Sequence, residues 1–134
     1  MAKILLINPS KWGRGITPIW IASHSALLKS KNHEVQLFDS TFYKDWSIDE
    51  LSFNTSNEQY KPSKYSKYIK LIEGDIVTDL QNKIDAYMPD IIFWSAISSH
   101  IHGEGEYVNI QYGYELIDKL KLDSLIITAG LQAT

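Results

Sequence analysis

The sequence predicts an α/β protein: one parallel sheet with helices on both faces, three layers in all. Two observations carry this. Four short segments, "KILLI", "EVQLFD", "DIIFWSAIS" and "SLIITAG", read as strands; the second alternates, and the first (after Lys3) and third are apolar almost without a break, as strands buried on both faces are. Segments of helical period separate them, and strands that alternate with helices join in parallel through crossovers. The chain has 134 residues, 44% of them hydrophobic and 22% charged, which suits one domain over residues 1–134 with a single core.

Residues 3–7 form the first predicted strand. Thr17-Pro18 then supplies an N-cap and a first-turn proline, where a missing N–H costs nothing. Ile19, Ala22, Ala26 and Leu27 recur at helical spacing, and Asn32-His33 is a plausible stop. Residues 34–39 are the second strand. Residues 40–68 change character, being rich in Ser, Lys, Asn and Tyr without a sustained period. Ser47 and Glu50 have capping-box spacing, but the segment reads as an irregular surface excursion, and one so long is usually functional or mobile. Ile69, Ile72, Ile76, Leu80, Ile84 and Met88 lie near one helical face, which Pro89-Asp90 ends. Residues 90–98 are the third strand and 99–106 a polar loop. Ile110, Tyr114, Ile117 and Leu120 mark a helix, and 124–130 the fourth strand.

The expected architecture is flavodoxin/Rossmann-like, with strand order 2-1-3-4. Ligands of such sheets sit beyond the carboxyl ends of the strands, where the winding reverses. That point falls between the first and third strands, at loops 8–17 and 97–106, with 129–134 alongside. Such folds carry a fifth strand or further domains, so the chain is expected to be a fragment of a longer protein.

Composition narrows the function. The net charge is −3, so no domain-wide basic field attracts nucleic acid or an anionic membrane. The aromatics of 42–68 with Lys61, Lys64, Lys67 and Lys70 could stack single-stranded nucleic acid, but a partly packed surface strip suits the acidic balance better. There is no cysteine, hence no disulfide framework, zinc-thiolate site or cysteine-held cluster within the chain. No run approaches the roughly 20 apolar residues of a membrane helix, and no secretory signal opens the sequence. The expected setting is cytoplasmic.

The first loop, "NPSKWGRG", lacks the Gly-Lys-Ser/Thr of a phosphate-binding loop and has only Gly13-x-Gly15 of the dinucleotide pattern. Its glycines could simply let the backbone turn. His100-Ile-His102-Gly-Glu104 could hold zinc or nickel, but reads better as a polar loop at the crevice mouth. His24 and His33 read as structural, and no dedicated metal site is expected.

The wider pattern, "KILLINPS…GITPIWIASHSALLKSKNHEVQLFD", resembles the opening of the cobalamin-binding domain found in front of many radical S-adenosylmethionine enzymes. Those domains commonly read Lys-Ile-Leu-Leu-Ile-Asn-Pro-Pro, then Gly-Ile-Pro-Pro before a helix, then Gly-His-Glu-Val and a strand ending in Asp. This chain matches at Lys3 to Pro9, Gly15-Ile16, Pro18, His33-Glu34-Val35 and Asp39. "DIIFWSAIS" is similar to the family's third strand, where a Ser near the strand end faces the cofactor tail. "IITAGLQAT" is similar to its Val-Gly-Gly-x-His-Ala-Thr, with Ala129 for one Gly and Gln132 for the His.

The resemblance implies a cobalamin-binding module, with the cofactor's nucleotide tail tucked into the domain. Loop residues Asn8, Pro9, Ser10, Lys11, Trp12, Gly13, Arg14, Gly15 and Ile16 would lie at the cofactor. So would Ser95, Ala96, Ser98, Gly130, Leu131 and Gln132. Methionine synthase and mutase domains carry Asp-x-His-x-x-Gly in this loop, whose His ligates cobalt. Here the loop reads Asn8-x-Ser10-x-x-Gly13, and Ser10 has no imidazole nitrogen to offer. The implied state is base-off, without a histidine from the first loop. Lys11, Trp12 or Arg14 could sit under the corrin ring, and Arg14 could pair with a propionamide or the tail phosphate. Trp12 could equally be a half-exposed loop aromatic. Ser95 and Gly130 suit a slot for a bulky tail, though small residues also serve helix–sheet packing. No residue of this chain is expected to be catalytic. The implied partner is a downstream radical domain with S-adenosylmethionine and a [4Fe-4S] cluster, a methyltransferase for example. The alternatives are a flavodoxin-like nucleotide- or flavin-binding domain, or a degenerate interaction domain that binds no cofactor.

Overall fold

The structure, a computed structural model, describes residues 1–11, 19–46, 69–95 and 108–129, with the backbone alone for residues 95 and 108–110. The elements are β1 (Lys3–Asn8), α1 (Ile19–Ser30), β2 (Glu34–Asp39), a 3₁₀ turn (Lys44–Trp46), α2 (Ile76–Tyr87), β3 (Ile91–Ser95), α3 (Val108–Ile117) and β4 (Leu125–Ala129). The four strands form one sheet in the order β2-β1-β3-β4, and every pairing is parallel. This is the α/β, flavodoxin/Rossmann-like arrangement expected from the sequence.

Side chains alternate across each strand, and the two faces are covered unequally. Leu5, Ile7, Ile92 and Trp94 point to one face, where they pack with Ile76, Leu80, Ile84 and Tyr87 of α2 and Tyr112 and Leu116 of α3. Leu5, Ile7, Leu80, Ile92 and Leu116 are fully buried there, which makes this face the core. The other face carries Ile4, Leu6 and Phe93 under α1. Trp20 and His24 of α1 lie against the Phe93 ring, at 5.5 and 5.4 Å between centroids. None of α1's own residues is buried.

Local chemistry sets the helix ends. After α1, Asn32 takes the left-handed conformation (φ 62°). Its N–H donates to the Lys29 carbonyl and that of His33 to the Leu28 carbonyl. This pair of bonds is a Schellman cap, and asparagine tolerates its backbone. Asp75 caps α2 through a 2.7 Å bond from the Thr78 N–H. The cap explains why α2 starts at Ile76, leaving the periodic Ile69 and Ile72 outside it. Met88, placed by periodicity on the helix face, is the left-handed residue that ends α2 and is 67% exposed.

The start of the 40–68 segment is core, not surface. Tyr43 and Trp46 are buried, and Tyr43 bridges in parallel to Ile72. The Tyr43 hydroxyl donates to Asp79 Oδ2 at 3.0 Å. Burial, with that bonded carboxylate, pushes its pKa up to about 12. The unfolded chain releases this proton near pH 10 while the folded one keeps it, so stability should fall between pH 10 and about 12. Tyrosinate absorbance during alkaline titration should show a late step that Tyr43→Phe reduces, Tyr87 being raised by burial as well, and a late step unchanged by Tyr43→Phe would contradict the contact. The capping-box pair Ser47 and Glu50 lies outside the described residues.

Candidate functional site

The winding reverses where the sequence suggested. After β1 the chain crosses to α1 on one face; after β3 it crosses to α3 on the other. The connections that leave the carboxyl ends of these two adjacent strands therefore run to opposite faces of the sheet, the arrangement at which ligands of such sheets sit. Asn8 is registered with Asp39, and Ser95 with Ala129. These residues form the last row of the sheet, below the first loop.

Asn8 is only 6% exposed. Its side-chain amide donates to Asp39 Oδ1 at 3.0 Å and to Thr41 Oγ1 at 3.3 Å. Asp39 Oδ1 also accepts from the Thr41 backbone N–H and hydroxyl. A buried amide is thus spent on one carboxylate, as burial demands. The next residues are tied to the same side. The buried Ser40 hydroxyl reaches the carbonyls of Asn8 and Ser10, both at 2.7 Å, sharing its one proton between them. Trp46 Nε1 donates to the Pro9 carbonyl at 3.3 Å.

Lys11 leaves the loop toward α3. Its ammonium lies 4.0 Å from the Trp46 ring centroid and 4.3 Å from that of Tyr112, with Glu115 Oε2 at 3.8 Å. Burial lowers the Lys11 pKa, with Glu115 opposing the shift and Lys119 adding to it. The two aromatic faces hold the charged form by cation–π attraction, and the ion pair is long enough to add little. Lys11 would have to give up this cage to meet a ligand.

The loop base is therefore built from Asn8, Pro9, Ser10 and Lys11 with Asp39, Ser40, Thr41, Trp46 and Tyr112. Sequence reasoning found the first four. It missed the others because they come from separate segments, although Asp39 stood at a predicted strand end. Trp12, Gly13, Arg14, Gly15, Ile16, Ala96, Ser98, Gly130, Leu131 and Gln132 lie outside the described residues, as do His100 and His102. The structure gives Ser95 its backbone place and no more.

The α1 face has room on both sides of the helix. A groove of about 350 Å³ runs between α1 and β2, lined by Leu6, Ile21, Ala22, Ser25, Val35 and Leu37 among others. On the opposite flank, Ile127, registered with Phe93, is 37% exposed. The groove's lining also takes in Lys29, Gln36 and Asp39, so its floor is apolar and its rim polar and charged. The described residues offer cobalt no imidazole from the first loop: position 10 is Ser, and the loop carbonyls are engaged by Ser40 and Trp46. A second opening, of about 500 Å³ around Asp85, Asp90, Lys121 and Asp123, lies at the amino edge, away from the crevice.

His24 and His33 have structural roles. His24 Nδ1 bonds the Trp20 carbonyl at 2.8 Å, which requires its proton on that nitrogen. His33 Nδ1 accepts from the Ala2 N–H at 3.2 Å. Among the described residues no three His, Cys, Asp or Glu side chains gather as a metal site, and no helix is long and apolar enough to cross a membrane. No protein-family model matches the sequence, and neither the curated proteins nor the solved structures compared with it yield a match.

Proposed function

We propose that this chain is a cobalamin-binding module, holding the cofactor base-off at the carboxyl edge of its sheet without a histidine from the first loop. The observation that carries the reading is the reversal of winding between β1 and β3, with loop 8–18 issuing from that point. The half-exposed Ile127 beside Phe93 supports it, since a nucleotide arm at the β3 and β4 ends needs apolar surface beside those strands. In this reading the first loop, Asn8 to Ile16, faces the corrin. Ser95, Ala96, Ser98, Gly130, Leu131 and Gln132 line the arm, and Asn8 and Asp39 stiffen the loop base. Bound cobalamin supplies methyl carriage or radical chemistry, and the protein supplies pocket and orientation. The chemistry itself belongs to a downstream radical domain with S-adenosylmethionine and a [4Fe-4S] cluster, in a cytoplasmic setting. The chain alone binds and does not catalyse.

Titration with hydroxocobalamin tests the reading. Binding should shift the visible spectrum toward a base-off form. Ser10→His should then add the absorbance of a histidine-ligated cobalt, because position 10 stands where the ligating loop carries its imidazole. Binding with no change of spectrum in Ser10→His would sink the loop alignment. Binding of flavin or nucleotide in place of hydroxocobalamin would sink the cofactor assignment.

A further inference from the structure

The side chain of Lys11 is 18% exposed, low for a lysine. It carries its ammonium into a corner between two rings. The Trp46 and Tyr112 rings stand 6.1 Å apart at 69°, and Lys11 Nζ lies 4.0 and 4.3 Å from their centroids. Both rings are buried, so the charge is partly withdrawn from water, which costs free energy. The aromatic faces offset that cost. Trp46 serves the loop twice, since its Nε1 also donates to the Pro9 carbonyl at 3.3 Å. Ser40 holds the carbonyls of Asn8 and Ser10. Each residue from Asn8 to Lys11 is thus tied, through its carbonyl or its side chain, to another segment. Tyr112 belongs to α3, the helix that the chain enters after β3, so the Lys11 contact joins the exit from β1 to the element that follows β3.

We infer that Lys11 is a positioning residue: its ammonium, seated between Trp46 and Tyr112, fastens the first loop to α3 and fixes the direction in which the chain leaves β1 toward the candidate site. The inference rests on the proposed function only for the identity of the ligand. Charge is what the corner selects. An apolar side chain of equal length fills the same space but gains nothing from the negative faces of the two rings. Glu115 Oε2, at 3.8 Å, adds too little to hold the ammonium by itself. Lys11 therefore does not meet the ligand with its charge. It acts through the loop base, and a loop already held in its binding position spares the ligand the cost of ordering it.

Two measurements on the whole chain test it. Without ligand, ring currents of Trp46 and Tyr112 should move the Lys11 ε-methylene protons upfield in the NMR spectrum. Lys11→Met should speed hydrogen exchange of the Trp46 indole N–H ~10-fold, whereas Lys11→Arg, whose guanidinium stacks on aromatic faces, should keep it within ~3-fold. In Lys11→Ala, excess n-propylammonium, the missing part of the side chain, should slow the exchange again, and n-propanol should not. With hydroxocobalamin as the probe, affinity should fall ~10-fold in Lys11→Met, hold within ~3-fold in Lys11→Arg, and recover in Lys11→Ala with n-propylammonium. The Ala and Arg variants serve if circular dichroism shows Lys11→Met unfolded. Binding by Lys11→Met as tight as wild type would overturn the positioning role. Lys11 protons at their ordinary shift, or recovery with n-propanol as readily as with the ammonium, would overturn the cage itself. A wild type that shows the shifted protons but fails to bind hydroxocobalamin sinks the cofactor reading, and unchanged indole exchange in Lys11→Met would then overturn the anchor.

Discussion

Gly113→Ala should destabilise the fold by about 3 kcal/mol, even after the ~1 kcal/mol that alanine gains over glycine inside a helix. Gly113 lies in α3 directly over Trp94, and a Cβ there would fall inside contact distance of the indole carbons Cζ3, Cε3 and Cη2. Trp94 cannot retreat: it is 1% exposed and belongs to the core between β3, α2 and α3. Its Nε1 has no hydrogen-bond partner among the described residues, so shrinking the ring breaks no bond on that nitrogen. Trp94→Phe should therefore partly rescue Gly113→Ala. Denaturant unfolding of the two singles and the double should show the double less destabilised than their sum. Strict additivity would mean that α3 does not sit on the indole.

Asn8→Asp should cost about 2–3 kcal/mol at pH 7 and much less in acid. It replaces a donor with a second carboxylate beside Asp39 Oδ1, in a site only 6% exposed. Like charge and burial both raise the pKa of the new group above its unfolded value near 3.9. Below that value it is protonated, can donate to Asp39, and the penalty vanishes. As pH rises through the raised pKa the unfolded chain holds fewer protons than the folded one, so stability falls relative to wild type. Thermal unfolding at pH 4 and pH 7 tests the sign, with Asn8→Ala as a control that loses the bonds without pH dependence. A penalty equal at both pH values would remove Asp39 from the site. The result bears on the cofactor reading. The proposed reading sets Asn8 where a histidine-ligating loop would carry an aspartate, and the neighbouring Asp39 accounts for the amide.

Much of the fold was legible because it follows from period. Continuous apolar runs at 4–7 and 91–94 are what a doubly covered strand requires, and alternation with helices makes the pairing parallel; the order 2-1-3-4, expected of a flavodoxin-like sheet, is the order found. Boundaries were less legible where a single side chain decides them: Asp75 starts α2 and Met88 ends it, overriding the isoleucine stripe. Phase failed in α3. Tyr114 fits the helical spacing, yet the helix turns Tyr112, Gly113 and Leu116 inward because Trp94 needs a gap that only glycine leaves. At the site, Asn8 to Lys11 could be read because they follow a strand. Their partners Ser40, Trp46 and Tyr112 could not, since only the folded chain brings three separate segments together. The segment after β2 looked like surface for the same reason: Tyr43 and Trp46 sit among polar residues in sequence and among apolar ones in space.

The oldest strand in synthesis is also the centre of the sheet. β1 receives β2 within its first few dozen residues, but its other side is completed only by β3, whose entry bond from the Lys3 N–H to Asp90 spans 87 positions. Until residues past 90 clear the ribosome, "KILLI" has one bare edge and an apolar side chain on each face. A nascent chain stalled before that point would present a sticky template to its neighbours on the polysome. The order of β1 and β3 along the chain thus leaves a window in translation during which β1 keeps one edge unpaired, and completion of β3 closes that window.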